Sequence, residues 1–317
     1  MEIDLNEPKS AVQTEAEIET LSESLIDELV GAVALPKNAF THGLFWRLFR
    51  GITDRLAALG VPFDHLVRDQ GLPTGCRWAL THFCHPALVR GQELVPAQGP
   101  LLIALNHPGT YDAFTLFSAL PRQDIKWISS YIPFFDKLPH TRKHILFAER
   151  NDPAGRMLVM RQAIKHLNSG GCLVYIPAGH REPDPHSYPG AAQSIENWLD
   201  IFDAFFKYVP GLRLQPAILS GMVSRRWAKH PLTWLRSKQI DRQRLAEFGQ
   251  VISQLLKPGK FKATPRLSIG KALAEDELRQ FAPFDSLTVA AKKISQSLLE
   301  GHCNEFGCWA SPVNTEA

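Results

Sequence analysis

Apolar residues in this chain fall into short continuous runs separated by helical stripes, and that alternation sets the expected architecture. Leu101–Leu105 is an uninterrupted apolar run, the pattern of a strand buried on both faces. Ile125–Ser130, Ile145–Ala148, Cys172–Ile176, Leu214–Leu219 and Arg266–Ile269 read as further strands, and Val89–Pro96 as a strand with a turn. Between them lie helical patterns at Asp112–Leu120, after Asp152-Pro153 (an acid at the cap, proline in the first turn), near Ser194–Phe206 and at Asp241–Leu256. Ser286 caps a last helix whose Leu287, Ala290, Ile294 and Leu298 share a side, with Gly301 as its expected stop. Strands alternating with helices predict an α/β fold, a mixed central sheet flanked by helices.

The segment before residue 85 reads differently. Ile18, Leu21, Leu25 and Leu29 repeat at helical spacing, and a second helix is expected from His42 to a stop at Gly60. The expected organisation is a disordered tail over 1–15, an N-terminal helical extension over 16–84, a main domain over 85–300 and a C-terminal tail over 301–317. With 44% apolar residues, 317 residues suffice for a substantial core. A net charge of +3 is too small to argue for nucleic acid. Five cysteines make no disulfide framework and favour a reducing, cytoplasmic setting. The acidic start is no secretory signal, and no run approaches the ~18 apolar residues of a membrane span, so a soluble or peripheral protein is expected. His82-Phe-Cys84-His85 and His302-Cys303 with Cys308 match no familiar zinc spacing, and no metal is assigned.

The chemistry concentrates where the strands stop. Leu105 is followed by Asn106-His107-Pro-Gly-Thr110-Tyr-Asp112, which puts an imidazole at a strand end and a carboxylate at a helix start. A carboxylate that accepts the Nδ1 proton leaves Nε2 as a base, and a positioned base contributes on the order of 10²–10⁴-fold to activating a hydroxyl. A structural histidine beneath Asp112 is the bland alternative. No G-x-S-x-G surround is present, so the hydroxyl belongs to the substrate. Phe147-Ala-Glu-Arg150 and Ile176-Pro-Ala-Gly179-His180-Arg181 end two further strands. Two arginine forks beside a base fit an anionic, hydroxyl-bearing substrate; ion pairs of Arg150 with Glu149 or Asp152, and of Arg181 with Glu182 or Asp184, are the competing reading.

In order, these segments resemble the glycerolipid acyltransferases, the glycerophosphate and lysophosphatidate enzymes. Asn106, His107 and Asp112 match the family's N-H-x4-D; Phe147 and Arg150 match its second motif. Ile176–Arg181 stands against F-P-E-G-T-R, Leu214-Gln-Pro216 resembles a fourth element, and Val89–Pro96 the lead-in. The resemblance covers roughly residues 85–275. It implies His107 as base, Asp112 as its partner, and substrate binding by Asn106, Thr110, Phe147, Arg150, Gly179, His180 and Arg181, the arginines holding an acceptor phosphate. It implies an acyl-CoA or acyl-carrier-protein donor, a lipid acceptor, a peripheral membrane location and no cofactor. Ala178 and His180 depart from the motif's glutamate and threonine, which puts the acceptor's identity in question. A hydrolase using the same base and a non-catalytic lipid-binding member of the fold remain alternatives. The His42–Leu59 helix and Ser224-Arg-Arg-Trp-Ala-Lys229 are candidate membrane contacts, against core packing and a solvated connector.

Overall fold

The computed structural model describes residues 15, 17–23, 25, 39–149 and 152–309. The expected tail over 1–15 falls almost wholly outside them, as do Leu29 and Arg150. A seven-stranded sheet forms the centre, in the order β1 (Leu88–Arg90), β7 (Arg266–Ile269), β6 (Arg213–Ser220), β2 (Leu101–Leu105), β5 (Cys172–Tyr175), β3 (Ile125–Ser129) and β4 (Ile145–Phe147). Strands β2 to β6 run parallel, while β7 and its parallel neighbour β1 oppose them. The fold is α/β with a mixed sheet, as the alternating pattern predicted.

Continuous apolar strands are explained by cores on both faces. Leu101, Ile103 and Leu105 of β2 point into one core with Cys172 and Val174 of β5. Leu102 and Ala104 enter the other with Leu173 and Tyr175. The first core is covered by α1 (Ala39–Gln70), α2 (Leu72–Phe83) and α3 (Asp112–Ala119), the second by α6 (Pro153–Asn168), α8 (Phe202–Tyr208) and α12 (Leu287–Phe306). Two short helices, α4 (Pro133–Asp136) and α5 (Pro139–Arg142), precede β4; α7 (Ala191–Glu196) precedes α8; α9 (Arg225–Ala228) and α10 (Gln239–Leu256) follow β6; α11 (Glu275–Arg279) precedes α12. Asp152 caps α6 by accepting from Gly155 N at 3.0 Å, and Ser286 caps α12 by accepting from Val289 N at 3.3 Å, as their sequence positions foretold.

Two expected helix stops are not stops. Helix α1 runs through Gly60 and Pro62 to Gln70. Gly60 is there for contact: a Cβ would lie 2.7 Å from Leu21 Cδ2 and 3.0 Å from Phe134 Cζ. Burial in α1 falls on Ala57, Val61, Phe63, Leu66 and Val67, so packing carries the helix past its weak local signals, while Leu48 nearer its start is exposed. The N-terminal region is joined to the sheet domain by Asp64, whose carboxylate accepts from Thr141 N and Thr141 Oγ1, both at 2.7 Å.

Helix α12 likewise passes Gly301 and ends at Phe306, held by His302. That imidazole is buried between β6 and β7, with Ser220 Oγ 2.7 Å from Nε2 and Ser268 Oγ 2.8 Å from Nδ1. Cys303 and Cys308, read from the odd count as thiols, are joined in a disulfide, while Cys76, Cys84 and Cys172 are free and buried. No helix among the described residues is long and apolar enough to cross a membrane.

Burial, aided by Arg266 and His186, pushes His302 from 6.5 down to about 4. The neutral ring belongs to the fold, so its stabilisation is complete above the unfolded value and is lost as pH falls through the folded one. The unfolding free energy from urea titrations is expected to drop by roughly 2–3 kcal/mol more in the wild type than in His302→Gln between pH 6.5 and 4.

Candidate active site

Parallel strands bring their carboxyl ends to one edge of the sheet, and the segments singled out in the sequence meet there. Ala104 of β2 pairs with Tyr175 of β5, so the loops after them leave side by side. Asn106 follows β2. Its side-chain Nδ2 donates to Leu219 O at 3.0 Å and its Oδ1 accepts from Leu219 N at 2.7 Å, fastening the loop to the end of β6. Pro108 and Gly109 then turn the chain into α3. A Cβ at Gly109 would sit 2.5 Å from Met222 Cβ, so only glycine allows the loop to lie this close to the segment after β6.

His107 and Asp112 face one another. The imidazole Nδ1 is hydrogen-bonded to Asp112 Oδ2, with Asp112 nearly fully buried at the first turn of α3 and His107 partly open to solvent. This contact fixes the ring and leaves Nε2 as the free nitrogen. The preceding Tyr111 is held from beneath, its hydroxyl donating to Gln254 Oε1 at 2.5 Å.

The loop after β5 is bound to the loop after β2 in both directions. His107 N donates to Glu182 Oε2 at 2.7 Å, and Glu182 N donates back to His107 O at 2.8 Å. Trp198 Nε1 holds the other carboxylate oxygen at 2.9 Å. Burial raises the Glu182 carboxyl above its ordinary value, against the lowering effect of these two donors. Arg181 turns inward, but its partner is neither Glu182 nor Asp184. Its Nη1 is ion-paired with Glu247 Oε2 on α10, an oxygen that also accepts from Thr110 Oγ1 at 2.9 Å. Burial draws the guanidinium below its usual pKa, with Asp112 acting against that shift.

The remaining sequence candidates spread around this centre. His180 is exposed, its Nδ1 3.0 Å from Arg181 O, and Gly179 is exposed in the same turn. Phe147 lies half-buried at the end of β4, with Tyr131 edge-on at 5.2 Å and Arg142 4.5 Å above its ring. Arg150 lies outside the described residues.

Sequence reasoning placed α10 but missed that it closes the site. Gln243, Glu247, Gln250 and Gln254 of α10 are spaced four, three and four apart and are all buried. Gln243 Nε2 donates to Pro108 O at 2.7 Å and Glu182 O at 2.9 Å; Gln250 Nε2 donates to Met222 O at 2.9 Å; Gln254 Nε2 donates to Phe83 O at 2.8 Å. A one-sided row of long amides and one acid in an otherwise charged helix was the available signal.

A sheet-edge histidine–aspartate pair beside a largely buried arginine–glutamate pair is an arrangement that can activate a hydroxyl, and comparison with known proteins points the same way. Residues 87–208 match the family model described as Acyltransferase. The matched stretch includes the His107–Asp112 and Ile176–Arg181 segments, in agreement with the likeness of these motifs to the glycerolipid acyltransferases. Among solved structures it is similar to the 1-acyl-sn-glycerophosphate (LPA) acyltransferase PlsC from Thermotoga maritima. The identity is 16% and the TM-score 0.38, over 93% of this chain and 99% of that one. No curated protein sequence matches the chain.

Asn106 is the joint between β2 and β6. Its replacement by alanine leaves Leu219 N and O without partners in a buried strand end, and a loss of about 2–4 kcal/mol is expected in denaturant unfolding.

Proposed function

We propose that this protein moves a fatty acyl group from an acyl thioester to a hydroxyl of a glycerolipid or lipid precursor. The observation that supports this best is the His107–Asp112 contact at the open edge of an acyltransferase-family domain. His107 Nε2 takes the proton of the acceptor hydroxyl as its oxygen attacks the thioester carbonyl. Asp112 stabilises the imidazolium that results. The tetrahedral intermediate then collapses: the ester C–O bond is kept, the C–S bond breaks, and the thiol leaves with the proton held by His107. The donor is acyl-CoA or acyl-carrier protein, used as co-substrate, and the chain's own residues supply the acid–base chemistry.

The reaction takes place at a membrane surface with the protein bound peripherally on the cytoplasmic side. Exposed Leu232, Trp234 and Leu235, on the segment between α9 and α10, support this, as do Arg225 and Arg226 of α9 and Arg236 nearby. Apolar side chains beside arginines suit an interface with anionic lipid.

His107→Ala is expected to lower kcat/KM for acyl transfer by about 10²–10⁴-fold, and Asp112→Asn by a factor in the same range. Thiol release from a labelled acyl thioester, with mass spectrometry of the lipid product, measures both. Activity in His107→Ala equal to that of the parent rejects the base. Thiol release at an unchanged rate without any acceptor points instead to hydrolysis.

A further inference from the structure

The expectation of a phosphorylated acceptor rested on two arginines, and the surroundings of Arg181 argue against it. Its guanidinium is committed to Glu247, a residue on a different element 66 positions later in the chain. Glu247 is itself nearly fully buried, and its Oε2 is further engaged by Thr110 of the catalytic loop. Arg181 and Glu247 therefore balance one another, and Asp112 adds a further carboxylate beside the base. Arg244, the other cation that acts on Arg181, is exposed and reaches Asp241 at 3.5 Å.

A phosphate monoester that uses the Arg181 fork must displace a carboxylate that cannot move to water. It then shares the site with that carboxylate, and like charges repel strongly where water is scarce. An uncharged hydroxyl-bearing headgroup meets no such barrier. It also has something to offer: Glu247 Oε1 is buried and has no hydrogen-bond partner among the described residues. A buried carboxylate oxygen without a donor is costly, and a substrate O–H would satisfy it once the side chain turns that oxygen into the site. Position 178, where related motifs carry a glutamate, is a buried alanine here, so a carboxylate reaches this site from α10 instead.

We propose that Glu247 is a specificity-determining residue that withdraws Arg181 from phosphate recognition, so that the acceptor binds through a neutral, hydroxyl-bearing headgroup. The reaction drawn above is assumed for turnover; the binding preference does not depend on it.

The test has a binding arm and a turnover arm. In calorimetry with glycerol 3-phosphate, Glu247→Gln is expected to bind at least tenfold tighter than the wild type, and Arg181→Gln/Glu247→Gln is expected to lose that gain. Equal or tighter binding by the wild type, or a gain that persists in the double variant, overturns the proposal. With an acyl thioester donor, wild-type kcat/KM is expected to be at least tenfold higher for monoacylglycerol than for lysophosphatidate, and Glu247→Gln to reduce that ratio at least tenfold. A wild type that prefers lysophosphatidate overturns the proposal, and this arm decides if Glu247→Gln fails to fold. Failure to acylate either lipid, with the binding arm as expected, removes the acyl-transfer reading and leaves the charge argument standing.

Discussion

Two loops at the carboxyl edge of the sheet leave strand pairing while still inside the protein, and every polar group they carry there needs a partner. Much of the molecule is arranged around that requirement. His107 and Glu182 satisfy one another through backbone and carboxylate, and the Gln243 amide takes Pro108 O and Glu182 O together. An unpartnered buried donor or acceptor costs ~1–3 kcal/mol, so α10 cannot leave without exposing several such groups at once. The helix that satisfies the loops is thereby the helix that delivers Glu247 to the site. Folding and site assembly share the same hydrogen bonds.

The consequence for chemistry is precision at His107. Its backbone N–H and C=O are both held by Glu182, its ring by Asp112, and Asp112 by the first turn of α3. An imidazole with this many constraints on its backbone and ring has little freedom to misplace Nε2, and in the proposed base role that is where orientation contributes to rate. Tyr111, stacked on Phe83 at 5.4 Å and bonded to Gln254, ties the same loop to the helical covering of the sheet. The N-terminal helices thus belong to the support of the site as well as to the first core.

The charge of the cleft is set by the same helix. Two strand-end arginines in sequence read as a cationic pocket. In the fold, Arg181 meets a carboxylate that burial keeps from solvent. An arginine largely removed from water needs a partner far more than an exposed one does, and Glu247 is placed where Arg181 has turned inward.

What the sequence by itself determined was local. The apolar runs located β2, β5 and the Ala217–Leu219 half of β6, because a strand buried on both faces admits little else. Asp152 and Ser286 announced their helices because capping is settled within three residues. The spacing of His107 and Asp112 across a Pro-Gly turn foretold their meeting, since strand end, turn and helix start lie within a few residues of one another. Tertiary structure decided the rest. Helix α1 outruns Gly60 and Pro62, and α12 outruns Gly301, because burial against distant elements outweighs weak local stops. The partner of Arg181, the use of Asn106 as a joint to β6 and the polar stripe of α10 all depend on which segments approach across the fold. Periodicity and turn chemistry act over a few residues, whereas the pairing of a buried charge is settled only when remote elements close around it.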